Sequence, residues 1–186
     1  MASTAAKYAT SASNNAGVGS LAWDSVNNAL GNNTNDATRT TATASGVLRT
    51  TNYLQLFFTH GLAAGDVGVG VAIRIRRFAT DGDDVGTITD SVVKLIKNGT
   101  IVGTNKSAGA AWPLGAGAWS STFGGASDLW GTTFTGEDAI GVAISGNFPG
   151  SANDDAYVTA AEATFYYTPA SSSNGLLLAR RRRIAI

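Results

Sequence analysis

The stretch VGVGVAIRIRRF, residues 67–78, decides the fold class. Val67, Val69, Val71, Ile73 and Ile75 alternate with Gly68, Gly70, Ala72, Arg74 and Arg76. A period of two residues sends successive side chains to opposite faces, so the stretch reads as a β-strand with one face in the core and the other small or basic. Glycines opposite a core face predict close packing against this strand, by a neighbouring subunit in one reading. In the other reading that face is merely solvated.

Downstream, TDSVVKLIKNGTIVGTN (residues 89–105) sets two β-branched runs on either side of Asn98-Gly99. That pair supplies the two positive-φ residues of a type I′ hairpin turn. Upstream, Tyr53 to Thr59 (YLQLFFT) reads as a strand ended by a turn at His60-Gly61. Trp119 to Phe123, Ala139 to Ser145 and Tyr157 to Tyr167 read as three more. The last of these places Tyr157, Ala161, Ala163, Phe165 and Tyr167 on one face. With Gly, Asn and Asp turns between strands and no helical period of any length, the expected fold is all-β: an antiparallel β-sandwich, jelly-roll-like. Residues 21–51 are expected to hold long loops with one or two short strands. Residues 1–20 show no periodicity and read as an N-terminal arm, residues 21–169 as the sandwich, and 170–186 as a linker and a Leu/Arg-rich tail.

Composition narrows the function. The 186 residues are 44% hydrophobic but only 14% charged, with 23 glycines, one histidine and no cysteine. Without cysteine there is no disulfide scaffold, thiol nucleophile or zinc-finger site, and His60 alone rules out chemistry needing two imidazoles. Four of the thirteen basic residues are Arg180 to Arg183, so the rest of the chain carries nine basic against thirteen acidic residues. A mildly acidic body is unlike a nucleic-acid-binding domain, which gathers Lys and Arg on one face. No run approaches the roughly 20 apolar residues of a membrane span, and the N-terminus lacks the apolar core of a signal peptide. No nucleic acid, membrane or cofactor is therefore expected as a partner.

Most carboxylates stand in turn contexts such as Asp81-Gly82-Asp83-Asp84 and Asn153-Asp154-Asp155, where turn formation explains them without catalysis. Glu162 alone falls within an expected strand, and one carboxylate does not make an acid–base pair, so no enzyme is expected. Asp81, Asp83 and Asp84 offer oxygen ligands for Ca²⁺ but lack the rest of an EF-hand loop, and a merely solvated hairpin loop explains them better, so no metal is expected. Trp112, Trp119 and Trp130 lie in one stretch beside Asp128. An exposed Trp is a platform for a sugar ring, which makes Trp119, Trp130 and Asp128 candidate glycan contacts; the competing expectation is that two of the three rings fill the core. The tail Leu176, Leu177, Leu178, Ala179, Arg180, Arg181, Arg182, Arg183 joins an apolar patch to four fixed charges. It suits docking on another chain, with guanidiniums paired to carboxylates, against the alternative of a solvated or polyanion-attracted tail.

The strings AWDSVNNAL, AAGDVGVGVAIRIRR, DSVVKLIKNGTIVGTNKSAGAAWP, ASDLWGTTFTGEDAIGVAIS and AYVTAAEATFYYTP resemble a β-sandwich module that recurs in bacterial surface proteins and bacteriophage virion structural proteins. The resemblance spans roughly residues 12–169, and its most specific pieces are Asn98-Gly99 and Asp128-Leu129-Trp130-Gly131. It implies a building or adhesion module with no catalytic residues to carry over. A single copy, without a signal peptide and with a Leu-Arg tail, departs from the bacterial pattern and favours a virion protein of the capsid-decoration or tail-fibre type. Such a protein is expected to form a homo-oligomer, most simply a trimer, and to bind capsid or tail proteins, with a host glycan as the alternative partner.

Overall fold

A computed structural model of the protein describes residues 1–32, 39–41, 48–80, 87–150 and 154–171. Its strands are β1 (Ala2–Ser3), β2 (Lys7–Asn15), β3 (Arg39–Thr41), β4 (Arg49–Thr50), β5 (Tyr53–Phe58), β6 (Val67–Thr80), β7 (Thr89–Lys97), β8 (Thr100–Val102), β9 (Ala118–Trp119), β10 (Phe123–Gly125), β11 (Ile140–Phe148) and β12 (Asp155–Thr168). A single 3-10 turn, Val26–Ala29, is the only helical element among the described residues. The expected all-β antiparallel sandwich is what forms. Strand order is β10-β6-β12-β2-β5-β11-β7-β8, with β1 and β3 joined to β12, β4 to β11 and β9 to β6, and every ladder between these strands is antiparallel.

The sheet folds over at β2. Lys7 and Tyr8 pair with β12, and after a register shift between Ala9 and Ser11 the rest of the strand pairs with β5. β2 thus belongs to both layers, and within the segment expected to be an N-terminal arm, Lys7–Asn15 form a corner strand. Its run of Ala, Ser, Thr and Asn carries almost no hydrophobic alternation, which is why its strand character does not show in the sequence. The chain then alternates between layers, with β6 and β12 in one and β5, β7 and β11 in the other, the alternation of a jelly roll. Leu54, Leu56, Val142 and Ile144 face Val71, Ile73, Ile75, Ala161, Ala163 and Phe165 across one core, where the Phe58 and Phe165 rings meet edge-on at 6.2 Å.

Two bulges correct the simple alternation. Gly68 pairs with Tyr167 and Gly70 with Tyr166, so Val69 is an extra residue on β6. Parity switches there: Val71, Ile73 and Ile75 face the core as expected, but Val67 turns out to solvent at 51% exposure. Gly68 turns inward instead, where a Cβ would lie 2.3 Å from the Phe134 ring, and at Gly70 it would lie 2.4 Å from the Ala126 backbone. The close packing predicted by these glycines is real, and its source is the chain's own segment 125–134. On β12, Thr159 is the extra residue, since Val158 pairs with Arg77 and Ala160 with Arg76. Ala156 and Val158 therefore share the core with Ala161, whereas Tyr157 lies outside, stacked on Phe78 at 4.4 Å.

The hairpin forms as read. Asn98 and Gly99 have φ of 50° and 80°, and Lys97 pairs with Thr100. The Asn98 side chain also ties the turn to the neighbouring loop, donating to Asp138 Oδ1 at 2.7 Å and accepting the Ala139 N–H at 2.8 Å. Replacing both turn residues with Ala is expected to lower stability by about 2–3 kcal/mol, from backbone strain plus the lost side-chain bonds. Equilibrium urea unfolding measures this, and an unchanged midpoint would contradict the turn geometry.

Candidate functional site

The rows of β6 explain what its three arginines do. Arg74 and Arg76 lie on the outer face: Arg74 pairs with Glu162 and Arg76 Nε donates to the Gly117 carbonyl at 3.1 Å. Arg77 continues the inward register of Val71, Ile73 and Ile75, and is 3% exposed. It reaches from one layer to the other, where its Nη2 donates to Asp90 Oδ2 of β7 at 2.6 Å. The second Asp90 oxygen accepts the Trp112 indole N–H at 2.9 Å, and Trp112 stacks on Trp23 at 6.4 Å. The guanidinium carbon stands 5.5 Å from the Trp112 ring and 5.9 Å from that of Phe123. Burial pushes the Asp90 carboxyl above its ordinary range, with Arg77 and the Trp112 N–H pulling it back, and burial likewise lowers Arg77.

Two nitrogens of this buried cation, Nε and Nη1, have no hydrogen-bond partner. An open cleft of about 390 Å³ lies at the edge of the sandwich, with Arg77 in its lining. Arg77 lines it together with Ala110, Ala111, Trp112 and Pro113 on one side and Ala118 to Ser121 on the other. The first wall is held in place by backbone bonds from Asp90 N to Ala110 O and from Trp112 N to Ile88 O; the second by Ser120 N to Ile75 O. The alternation of the 67–78 stretch contained the signal for Arg77, two residues beyond Ile75, but a cation on a core face was not expected.

The three tryptophans divide as two core rings and one at the surface. Trp112 and Trp130 are buried; Trp119 is half-buried on β9, at the cleft, with Arg74 over its ring at 5.2 Å and Tyr8 at 6.5 Å. Trp130 is therefore no sugar platform: it is 0% exposed and its indole N–H donates to the Val71 carbonyl at 3.0 Å. Asp128 stands beside it as a turn brace, accepting the Trp130 N–H at 2.8 Å and meeting Lys106 Nζ at 2.7 Å. The hydrogen bond from Lys106 holds the Asp128 carboxyl below its ordinary range; burial opposes it, and the Trp130 N–H and the Lys106 charge add to the lowering. His60 closes its turn, with Nδ1 accepting the Leu62 N–H at 3.0 Å and Nε2 therefore free to donate to the Asp138 carbonyl at 2.8 Å. Asp81, Asp83 and Asp84, and the tail residues Leu176, Leu177, Leu178, Arg180, Arg181, Arg182 and Arg183, lie outside the described residues.

The chain matches no protein-family model, no curated protein and no solved structure. The site is therefore interpreted from its own chemistry.

Proposed function

We propose that this is a non-catalytic bacteriophage virion structural protein, placed on the capsid or tail, that assembles as a homo-oligomer and with other virion proteins through the sandwich and its terminal segments. The observation that carries the proposal is where the quoted motifs fall. Trp23, Asp90, Asn98-Gly99, Trp112, Asp128-Leu129-Trp130-Gly131 and Asp138 are each spent on holding turns and layers together. Asn105 joins them, accepting the Val93 N–H at 2.8 Å and donating to the Ser91 carbonyl at 3.1 Å. A motif made of braces specifies a scaffold, which fits a building or adhesion module.

Deleting Gly175 to Ile186 is expected to leave the melting temperature of the sandwich unchanged while abolishing tail-dependent binding to purified capsids or tails. Light scattering and co-sedimentation of full-length and shortened protein measure both effects. Normal incorporation of the shortened chain would remove the tail from the assembly mechanism.

The second reading is attachment to host-surface glycans. It is supported by the cleft, where a half-buried Trp119 and a buried cation with unused N–H groups lie together. Adsorption of the protein to host-envelope polysaccharide tests it.

A further inference from the structure

We propose that Asn98 is a deamidation site held closed by the fold. The bonds that tie its carboxamide to the 138–139 loop keep the Gly99 nitrogen from attacking it, and conversion to aspartate unties that loop for good.

The chemistry follows from the pair of residues. The backbone nitrogen after an asparagine, once base has taken its proton, attacks the side-chain Cγ. The N–Cγ bond forms, the Cγ–Nδ2 bond breaks, and ammonia leaves, taking up the proton that the backbone nitrogen lost. Water then opens the five-membered imide at either carbonyl, giving aspartate or its isoaspartyl isomer. Glycine in the second position hinders the attack least, since it has no Cβ to shield its nitrogen. Asn98 and Gly99 are both exposed at the tip of the β7–β8 hairpin, so water and hydroxide reach them.

The structure opposes the attack at this pair. Three bonds hold Asn98: its backbone N–H donates to the Ala139 carbonyl at 2.8 Å, its Oδ1 accepts the Ala139 N–H at 2.8 Å, and its Nδ2 donates to Asp138 Oδ1 at 2.7 Å. The type I′ geometry that gives Asn98 its φ of 50° also sets its ψ to about 30°. For the Gly99 nitrogen to meet Cγ, ψ has to leave that value and the carboxamide has to turn out of both its bonds. The loop that holds it is anchored in turn. Asp138 Oδ2 accepts the Thr135 N–H at 2.9 Å and meets Lys97 Nζ at 3.3 Å, and the Asp138 carbonyl accepts from His60 Nε2 at 2.8 Å. Attack therefore waits for a local opening of the hairpin tip.

Conversion changes what the tip holds. Aspartate at 98 sets a carboxylate oxygen where Nδ2 now donates, against Asp138 Oδ1, and like charges this close repel. The isoaspartyl form adds a backbone carbon to the two-residue loop and disturbs the pairing of Lys97 with Thr100. Either product parts the hairpin tip from the 138–139 loop.

The test incubates the full chain at mildly alkaline pH and follows its peptides by mass spectrometry, which separates Asn98-Gly99 from Asn174-Gly175, the other Asn-Gly pair of the sequence. Conversion at Asn98 is expected to be at least about tenfold slower in the native protein than in denaturing urea, and a folded Asp138→Ala variant is expected to recover most of that difference. Both aspartyl and isoaspartyl products are expected. Asn98→Asp and protein converted by incubation are both expected to melt below the parent. Native conversion as fast as in urea would overturn the gate, as would a folded Asp138→Ala protein that converts no faster than the parent. An aspartyl product alone would overturn the route through the imide, and parent-like melting of the converted protein would overturn the untying of the loop. Should Asp138→Ala not fold, the parent supplies the same reading. Across sub-denaturing urea its conversion is expected to rise in step with hydrogen exchange at the Ala139 N–H, and conversion indifferent to that exchange would overturn the gate.

Discussion

Truncating Arg77 to Ala is expected to destabilise the protein by about 3–5 kcal/mol, among the largest effects of any substitution outside the hydrophobic core. The reason is the state of the partner left behind. Asp90 is 2% exposed and has two bonds, one from Arg77 and one from the Trp112 indole, so removing the cation strands a buried carboxylate. Asp90→Ala is expected to do as much harm, because it leaves a buried guanidinium whose only protein acceptor is gone. The double variant Arg77→Met/Asp90→Leu separates these losses from the worth of the pair itself. Replacing a buried ion pair with apolar groups of similar volume is often neutral, or stabilising by about 1–4 kcal/mol, so the double variant should be far more stable than either single one. Urea unfolding of the four proteins gives the coupling energy directly. If the single variants each lost less than about 1 kcal/mol, the pair would have to be solvated and not the buried bridge between layers described above.

The pair also shows where the sequence could and could not be read. Strands with strong alternation and β-branched residues, β5, β6, β7 and β11, stand out because their side chains carry the contrast between faces. The Asn98-Gly99 turn stands out because its geometry demands those residue types. β2 does not: of its nine residues only Ala9 is buried, so its small polar side chains carry no contrast between faces. The bulges at Val69 and Thr159 were hidden for a related reason. An extra residue changes the facing of everything beyond it, yet only the register with a partner strand reveals it. Hence Val67 and Tyr157 stand on the opposite faces from those expected, while Ile73, Ile75, Ala161 and Phe165 stand where alternation puts them. The candidate site was legible only in part. Trp119 was marked by residue type, but the unpartnered nitrogens of Arg77 are a property of packing between two layers far apart in sequence.

Replacing Trp130 with Ala is expected to cost about 3–5 kcal/mol, and the surroundings explain why little of that can be recovered. The ring occupies space made by glycines: a Cβ on Gly124 would lie 2.3 Å from the indole nitrogen, and one on Gly103 would lie 2.2 Å from the Trp130 carbonyl. Both glycines have positive φ, 76° in each case, so no larger side chain can grow into the cavity without backbone strain. Trp130 itself has φ 57°, held there by the Asp128 brace and by the Thr104 N–H donating to its carbonyl at 2.6 Å. Trp130→Phe separates ring volume from hydrogen bonding: it keeps most of the packing, loses the bond to the Val71 carbonyl, and is expected to cost about 1–2 kcal/mol. Urea midpoints and near-ultraviolet circular dichroism measure both variants. A Trp130→Ala protein as stable as the parent would place the ring outside the core and return it to candidacy as a sugar platform.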